Sequence, residues 1–155
     1  MDNYQKSKTT VSLNVSRVSK RARELYSTYR EADRITGRQL QALCDAICQS
    51  LRIKKIKVNF GGVQPSVRET NDYTGRMKLK KKRMGRYVRK WGAAWIEIYE
   101  YTAVKRERIS PKTAIETLLH EIMHHWDYEK LKLSKSLHTS GFYIRIGVLR
   151  DMLKR

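Results

Sequence analysis

The sequence predicts an α+β domain in which helices pack on a small, mostly antiparallel sheet. Three observations carry that expectation. Apolar residues recur every three or four positions in four separate stretches, the period drops to two after Ile53, and residues 94–101 form a run of β-branched and aromatic side chains. The chain has 155 residues, and its 40% hydrophobic content supports a genuine core despite 32% charged residues.

Residues 1–16 are polar, rich in Ser, Thr and Lys, and without a period, so they are expected to form a mobile basic arm preceding a single domain over 17–155. Val18, Ala22, Leu25, Tyr26, Tyr29 and Ala32 then mark one face of a helix running to Arg34. Thr36 followed by Gln39 is a capping-box pattern, after which Leu40, Leu43, Cys44, Ile47, Cys48 and Leu51 continue at helical spacing. The two cysteines are too few and too close for a secreted disulfide scaffold, and their place on the apolar stripe assigns them to core packing in a reducing compartment.

Ile56, Val58 and Phe60 alternate with Lys55, Lys57 and Asn59 as in a half-buried strand, which Gly61 and Gly62 end. Pro65, Ser66, Asn71, Asp72 and Gly75 give the next stretch the chemistry of a loop. Weak alternation over 76–90 predicts a basic hairpin with Gly85 near its turn, and the strand at 94–101 follows. Ser110 before Pro111 starts a helix whose Ile115, Leu118, Leu119, Ile122 and Trp126 carry it to Lys130. A last helix bears Phe142, Ile146, Leu149 and Leu153, capped by Thr139 or Ser140.

With 34 Lys plus Arg against 15 Asp plus Glu, the formal charge is +19 and the pI about 10.2. Such a charge is a statement about partners, and nucleic acid is the first polyanion to consider. No apolar run suits a secretion signal or a bilayer span, so the expectation is a monomeric protein of the cytoplasm, nucleoid-associated or nuclear, that contacts no membrane.

The chemistry is concentrated in His120-Glu121-Ile122-Met123-His124. Residues i and i+4 of a helix share a face, so two imidazoles can grip one metal ion while Glu121, turned about 100° around the axis, reaches water beside it. Zinc suits neutral imidazole nitrogen, and a catalytic zinc takes three protein ligands and keeps a fourth position open. His138, beyond the helix, is the candidate third ligand, with Asp127 and Glu129 as rivals. His125 points elsewhere on the helix and is expected at the surface or behind the ligands.

The segment Thr117-Leu-Leu-His-Glu-Ile-Met-His-His-Trp, followed by His138-Thr-Ser-Gly-Phe, resembles the SprT-like zinc metalloproteases, the group that includes Spartan and Wss1. The resemblance is strongest over 94–153 and weaker over 25–60. It implies a minimal zincin-like metalloprotease fold with the zinc helix near the C-terminus, zinc on His120, His124 and His138, Glu121 as catalytic base, and Phe142 as a packing aromatic. Many members have Gly directly after the third histidine, where this chain has Thr139. The strand at 94–101 precedes the zinc helix and is therefore a candidate edge for pairing with an extended protein substrate. Tyr128, Tyr143 and Arg145 are near in sequence as candidates for stabilising an oxyanion, but each reads equally well as a surface or core residue, so the sequence names no oxyanion partner.

Members of that family are associated with proteolysis of DNA-bound or DNA-crosslinked proteins. Here the basic run supplies a separate reason to expect single-stranded DNA or another nucleic acid. Arg76, Lys78, Lys80, Lys81, Lys82, Arg83, Arg86, Arg89 and Lys90 are interleaved with or flanked by Tyr73, Tyr87, Trp91 and Trp95. Cations can neutralise phosphates while aromatics stack on unpaired bases. The alternative is a solvated basic hairpin with inward aromatics. Two other functions fit the same residues: a nucleic-acid-binding module with a structural metal, and a general cytoplasmic peptidase or toxin-like zincin indifferent to nucleic acid.

Overall fold

The computed structural model describes residues 1–70, 77–82 and 84–155. Among them the chain forms α1 (Asn3–Thr9), α2 (Lys20–Arg30), α3 (Gly37–Leu51), β1 (Lys57–Phe60), β2 (Ser66–Thr70), β3 (Met77–Lys82), β4 (Gly85–Lys90), β5 (Ala93–Ile98), α4 (Pro111–Lys130) and α5 (Ser140–Leu153). The fold is α+β, with five helices around a small three-stranded mixed sheet.

Local sequence sets the helix starts. Thr36 and Gln39 exchange hydrogen bonds in a complete capping box, Ser110 accepts from the Thr113 amide with Pro111 in the first turn, and Thr139 accepts from the Phe142 amide. Each such cap contributes about 1 kcal/mol by satisfying an amide that has no partner inside the helix. Helix α2 ends at Arg30, one turn earlier than its apolar pattern predicts.

The sheet order is β1-β5-β4, with β1 parallel and β4 antiparallel to β5. It is therefore mixed rather than mostly antiparallel, and β5 is its centre rather than a free edge. The composition of β5 explains this: Ile96 and Ile98 are buried almost completely, and the most apolar strand gains most from neighbours on both sides. Among the described residues the edges of this sheet are β1 and β4.

The expected basic hairpin over 76–90 does not form. Strand β3 pairs instead with β2, in a segment expected as loop, and the two make a separate antiparallel ribbon. The turn lies at Trp91-Gly92, where both residues have positive φ (52° and 78°), the geometry of a two-residue hairpin joining β4 to β5. Gly85 opens β4, and its bare Cα serves close packing: a Cβ there would stand 2.7 Å from the Glu97 carbonyl oxygen and 2.7 Å from Thr117 Cγ2. Without that side chain β4 lies directly against α4.

Helix α4 is the hub, packed on β4, β5, α2, α3 and α5. Twelve of its 20 residues are buried, so it runs through the core rather than over it. Cys44 and Cys48 are free, buried thiols on α3, in the core as expected. The N-terminal segment is structured, contrary to the mobile arm read from its composition. Helix α1 packs on α5, Ser7 and Leu13 are buried, and a Cβ on Gly141 would collide with the carbonyl oxygens of Ser7 and Lys8. Polar side chains there meet partners on α5, a pairing that no local period records. No helix among the described residues is long and apolar enough to cross a membrane.

Candidate metal centre

His120 and His124 project from successive turns of α4, and the linker to α5 returns His138 to them. The three imidazoles form a group that can hold a metal ion. His138 Nε2 lies 3.2 Å from His120 Nε2 and 3.1 Å from His124 Nε2. Two nitrogens each bonded at about 2.0–2.1 Å to one tetrahedral ion stand about 3.3 Å apart, so the spacing fits a single small cation such as zinc. Burial, with the neighbouring His138, lowers the His120 pKa to about 4. Burial, with His120 and then His138, lowers that of His124 to about 3. Both rings are therefore neutral at physiological pH, the form that ligates.

The rings are held from below by Phe142, fully buried on the first turn of α5, whose centroid lies 4.6 Å from that of His124, 5.0 Å from His120 and 5.3 Å from His138. The rival ligands lie elsewhere. Asp127 is fully buried and engaged by Arg145, while a Glu129 carboxylate oxygen sits 3.9 Å from His125 Nε2. Glu121 is 5% exposed, and its Oε2 lies 3.5 Å from where a Gly85 Cβ would stand, so the carboxylate occupies the seam between α4 and the start of β4.

Glu121 and the three histidines line a cleft of about 1260 Å³. One wall is strand β4 over Gly85 to Arg89; Tyr143 and Ser136 stand on the α5 side. His125, which the sequence placed at the surface or behind the ligands, is buried and fastens this wall. Its Nε2 donates to the Lys54 carbonyl at 2.8 Å, which leaves Nδ1 to accept from Tyr87 Oη at 2.9 Å, and Tyr87 in turn accepts from Arg89 at 2.8 Å. Arg89 also stacks on Tyr128, 3.4 Å from the ring centroid. The edge strand is thus tied to the helix that carries the ligands.

No protein-family model, curated protein or solved structure matches this chain.

The basic residues are dispersed rather than gathered in one hairpin. Arg86 and Arg89 line the cleft, Arg86 paired with Glu97, and Lys90 is exposed at the end of β4. Lys78, Lys80, Lys81 and Lys82 lie on β3 in the separate ribbon. Arg76 and Arg83 fall outside the described residues. Of the three candidate oxyanion partners, Arg145 is buried in an ion pair with Asp127, Tyr128 lies under Arg89, and Tyr143 is half exposed at the cleft with its ring 6.0 Å from that of His138. Sequence reasoning missed Ser136, whose hydroxyl lies 2.7 Å from His124 Nδ1. A serine in a polar linker carries no signal that would single it out.

Proposed function

We propose that this chain is a zinc-dependent metalloendopeptidase of minimal, zincin-like architecture, similar to the SprT-like proteases, acting on proteins bound or crosslinked to nucleic acid in the cytoplasm, nucleoid or nucleus. The observation that carries the reading is the convergence of three imidazole nitrogens with a buried glutamate in a cleft walled by a sheet edge. Three donors suit a catalytic rather than a structural zinc, and the group among the described residues contains no fourth.

Zinc bound there supplies a Lewis acid that polarises a peptide carbonyl and acidifies water. The chain supplies the rest. Among the described strands β4 pairs only with β5, and it lines the cleft, so an extended polypeptide can add to the sheet there as a further strand and set one peptide bond over the histidines. Glu121 takes a proton from the attacking water and delivers it to the departing amine. Tyr143, half exposed at the cleft beside His138, is our candidate donor to the carbonyl oxygen. Purified protein is expected to hold about one zinc per chain, and His138→Ala to lose it; metal analysis that finds none in the native protein removes the enzyme reading.

The nucleic-acid part rests on Trp91. It is 97% exposed, follows Lys90, and adopts a left-handed backbone conformation that costs a bulky residue about 1 kcal/mol. A strained and fully solvated tryptophan at a hairpin tip fits a stacking platform for an unpaired base. Trp91→Asn should stabilise the fold by about 0.5–1 kcal/mol, because asparagine tolerates this turn. The same change should weaken binding of single-stranded DNA by about 5- to 100-fold. Unchanged DNA affinity in a more stable variant would favour the general peptidase.

A further inference from the structure

Behind His124 runs a continuous hydrogen-bonded chain that the peptidase reading does not use. Ser136 Oγ donates to Asp127 Oδ2 at 2.6 Å, because a carboxylate only accepts. The single hydroxyl proton is thereby committed. At the 2.7 Å contact with His124 Nδ1 the same oxygen must therefore accept, which puts the imidazole proton on Nδ1 and leaves the Nε2 lone pair facing His138 Nε2. Asp127 is oriented in turn by Arg145 Nη2, which donates to Oδ1 at 2.7 Å with both side chains fully buried. The other guanidinium nitrogen, Nη1, donates to the backbone oxygens of Ser7 and Thr10, each at 2.7 Å. The chain thus begins at the backbone of the N-terminal segment and ends on Nδ1 of His124, the ring nitrogen opposite the one that faces His138.

We propose that Ser136, Asp127 and Arg145 are positioning residues of the metal centre, which fix the tautomer and orientation of His124 and anchor it to the docked N-terminal segment. The proposal rests on the three-histidine site and deepens it. None of the three residues reaches the ion; each acts through the next. Partners of this kind behind a ligating histidine are worth about 10- to 100-fold in metal affinity, because a ring free to rotate or to move its proton to Nε2 must be reordered before it can ligate.

Zinc affinity of the full chain, measured against a competing chromogenic chelator, tests this directly. Ser136→Ala should weaken binding about 10- to 100-fold, and Ser136→Thr, which keeps the hydroxyl, should stay close to the native value. Melting of the chelator-stripped protein should be similar for both variants, so that the difference reports on the ligand and not on the fold. Arg145→Lys should also weaken zinc in the native background, but only slightly further in Ser136→Ala, because its influence reaches His124 through the serine. Absence of zinc from the native protein would end the metal reading itself. Zinc bound equally by the native protein and Ser136→Ala would overturn the positioning role alone, as would full additivity of the serine and arginine changes for Arg145. If Arg145→Lys does not fold, the comparison of alanine with threonine at 136 still decides.

Discussion

Glu121→Gln should keep the zinc content of the native protein and lower peptide-bond hydrolysis by about 10²- to 10⁴-fold. The substitution is close to isosteric, and at 5% exposure in the seam beside Gly85 the side chain has little room for a different shape. It does not remove a ligand, since the three donors are histidines. What changes is proton affinity: a carboxylate accepts a proton from water at neutral pH and an amide does not. The comparison is made on a short unstructured peptide, so that recruitment by the basic surface plays no part. Equal turnover by mutant and native protein would leave a three-histidine binding module in place of an enzyme. Loss of zinc together with activity would show that Glu121 supports the ligands, and would move the base to another residue.

That site was legible in the sequence because all but one of its parts lie on one helix. Spacing i to i+4 fixes a shared face without reference to the rest of the fold, and Ser110-Pro111 fixes where the helix begins. His138 was reachable because it is the chain's one histidine off that helix. The helix starts at Thr36 and Thr139 were legible for the same local reason, each being a side chain bonded to an amide three residues away. Strand partners were not. Whether 77–82 pairs with 66–70 or with 85–90 depends on a two-residue turn at Trp91-Gly92, where tryptophan is a poor signal for positive φ. The central place of β5 and the burial of His125 depend on contacts far apart in sequence, such as His125 with Lys54, and periodicity carries no information about those. Helix α1 was missed because its docking is polar: Arg145 bonding to backbone oxygens at Ser7 and Thr10 leaves no apolar stripe to find.

Asp127→Ala should destabilise the protein by about 3–5 kcal/mol, because Arg145 is then left charged, fully buried and without its counter-ion. Burial holds the Asp127 carboxyl above the ordinary aspartate value, against the opposing pull of the Ser136 hydroxyl and of Arg145, both of which donate to it. For a chain of this size each kcal/mol corresponds to about 2–4 °C, so melting should fall by about 6–20 °C. Replacing the pair by apolar residues, Asp127→Leu with Arg145→Met, removes the stranded charge and should recover part of that loss. Recovery should be incomplete, since the oxygens of Ser7 and Thr10 lose their donors and each unsatisfied buried acceptor costs about 1–3 kcal/mol. The double variant should therefore melt between Asp127→Ala and the native protein. A single variant that melts within 2 °C of native, or a double variant no better than the single, would show that this ion pair does not hold the N-terminal segment and the ligand helix together.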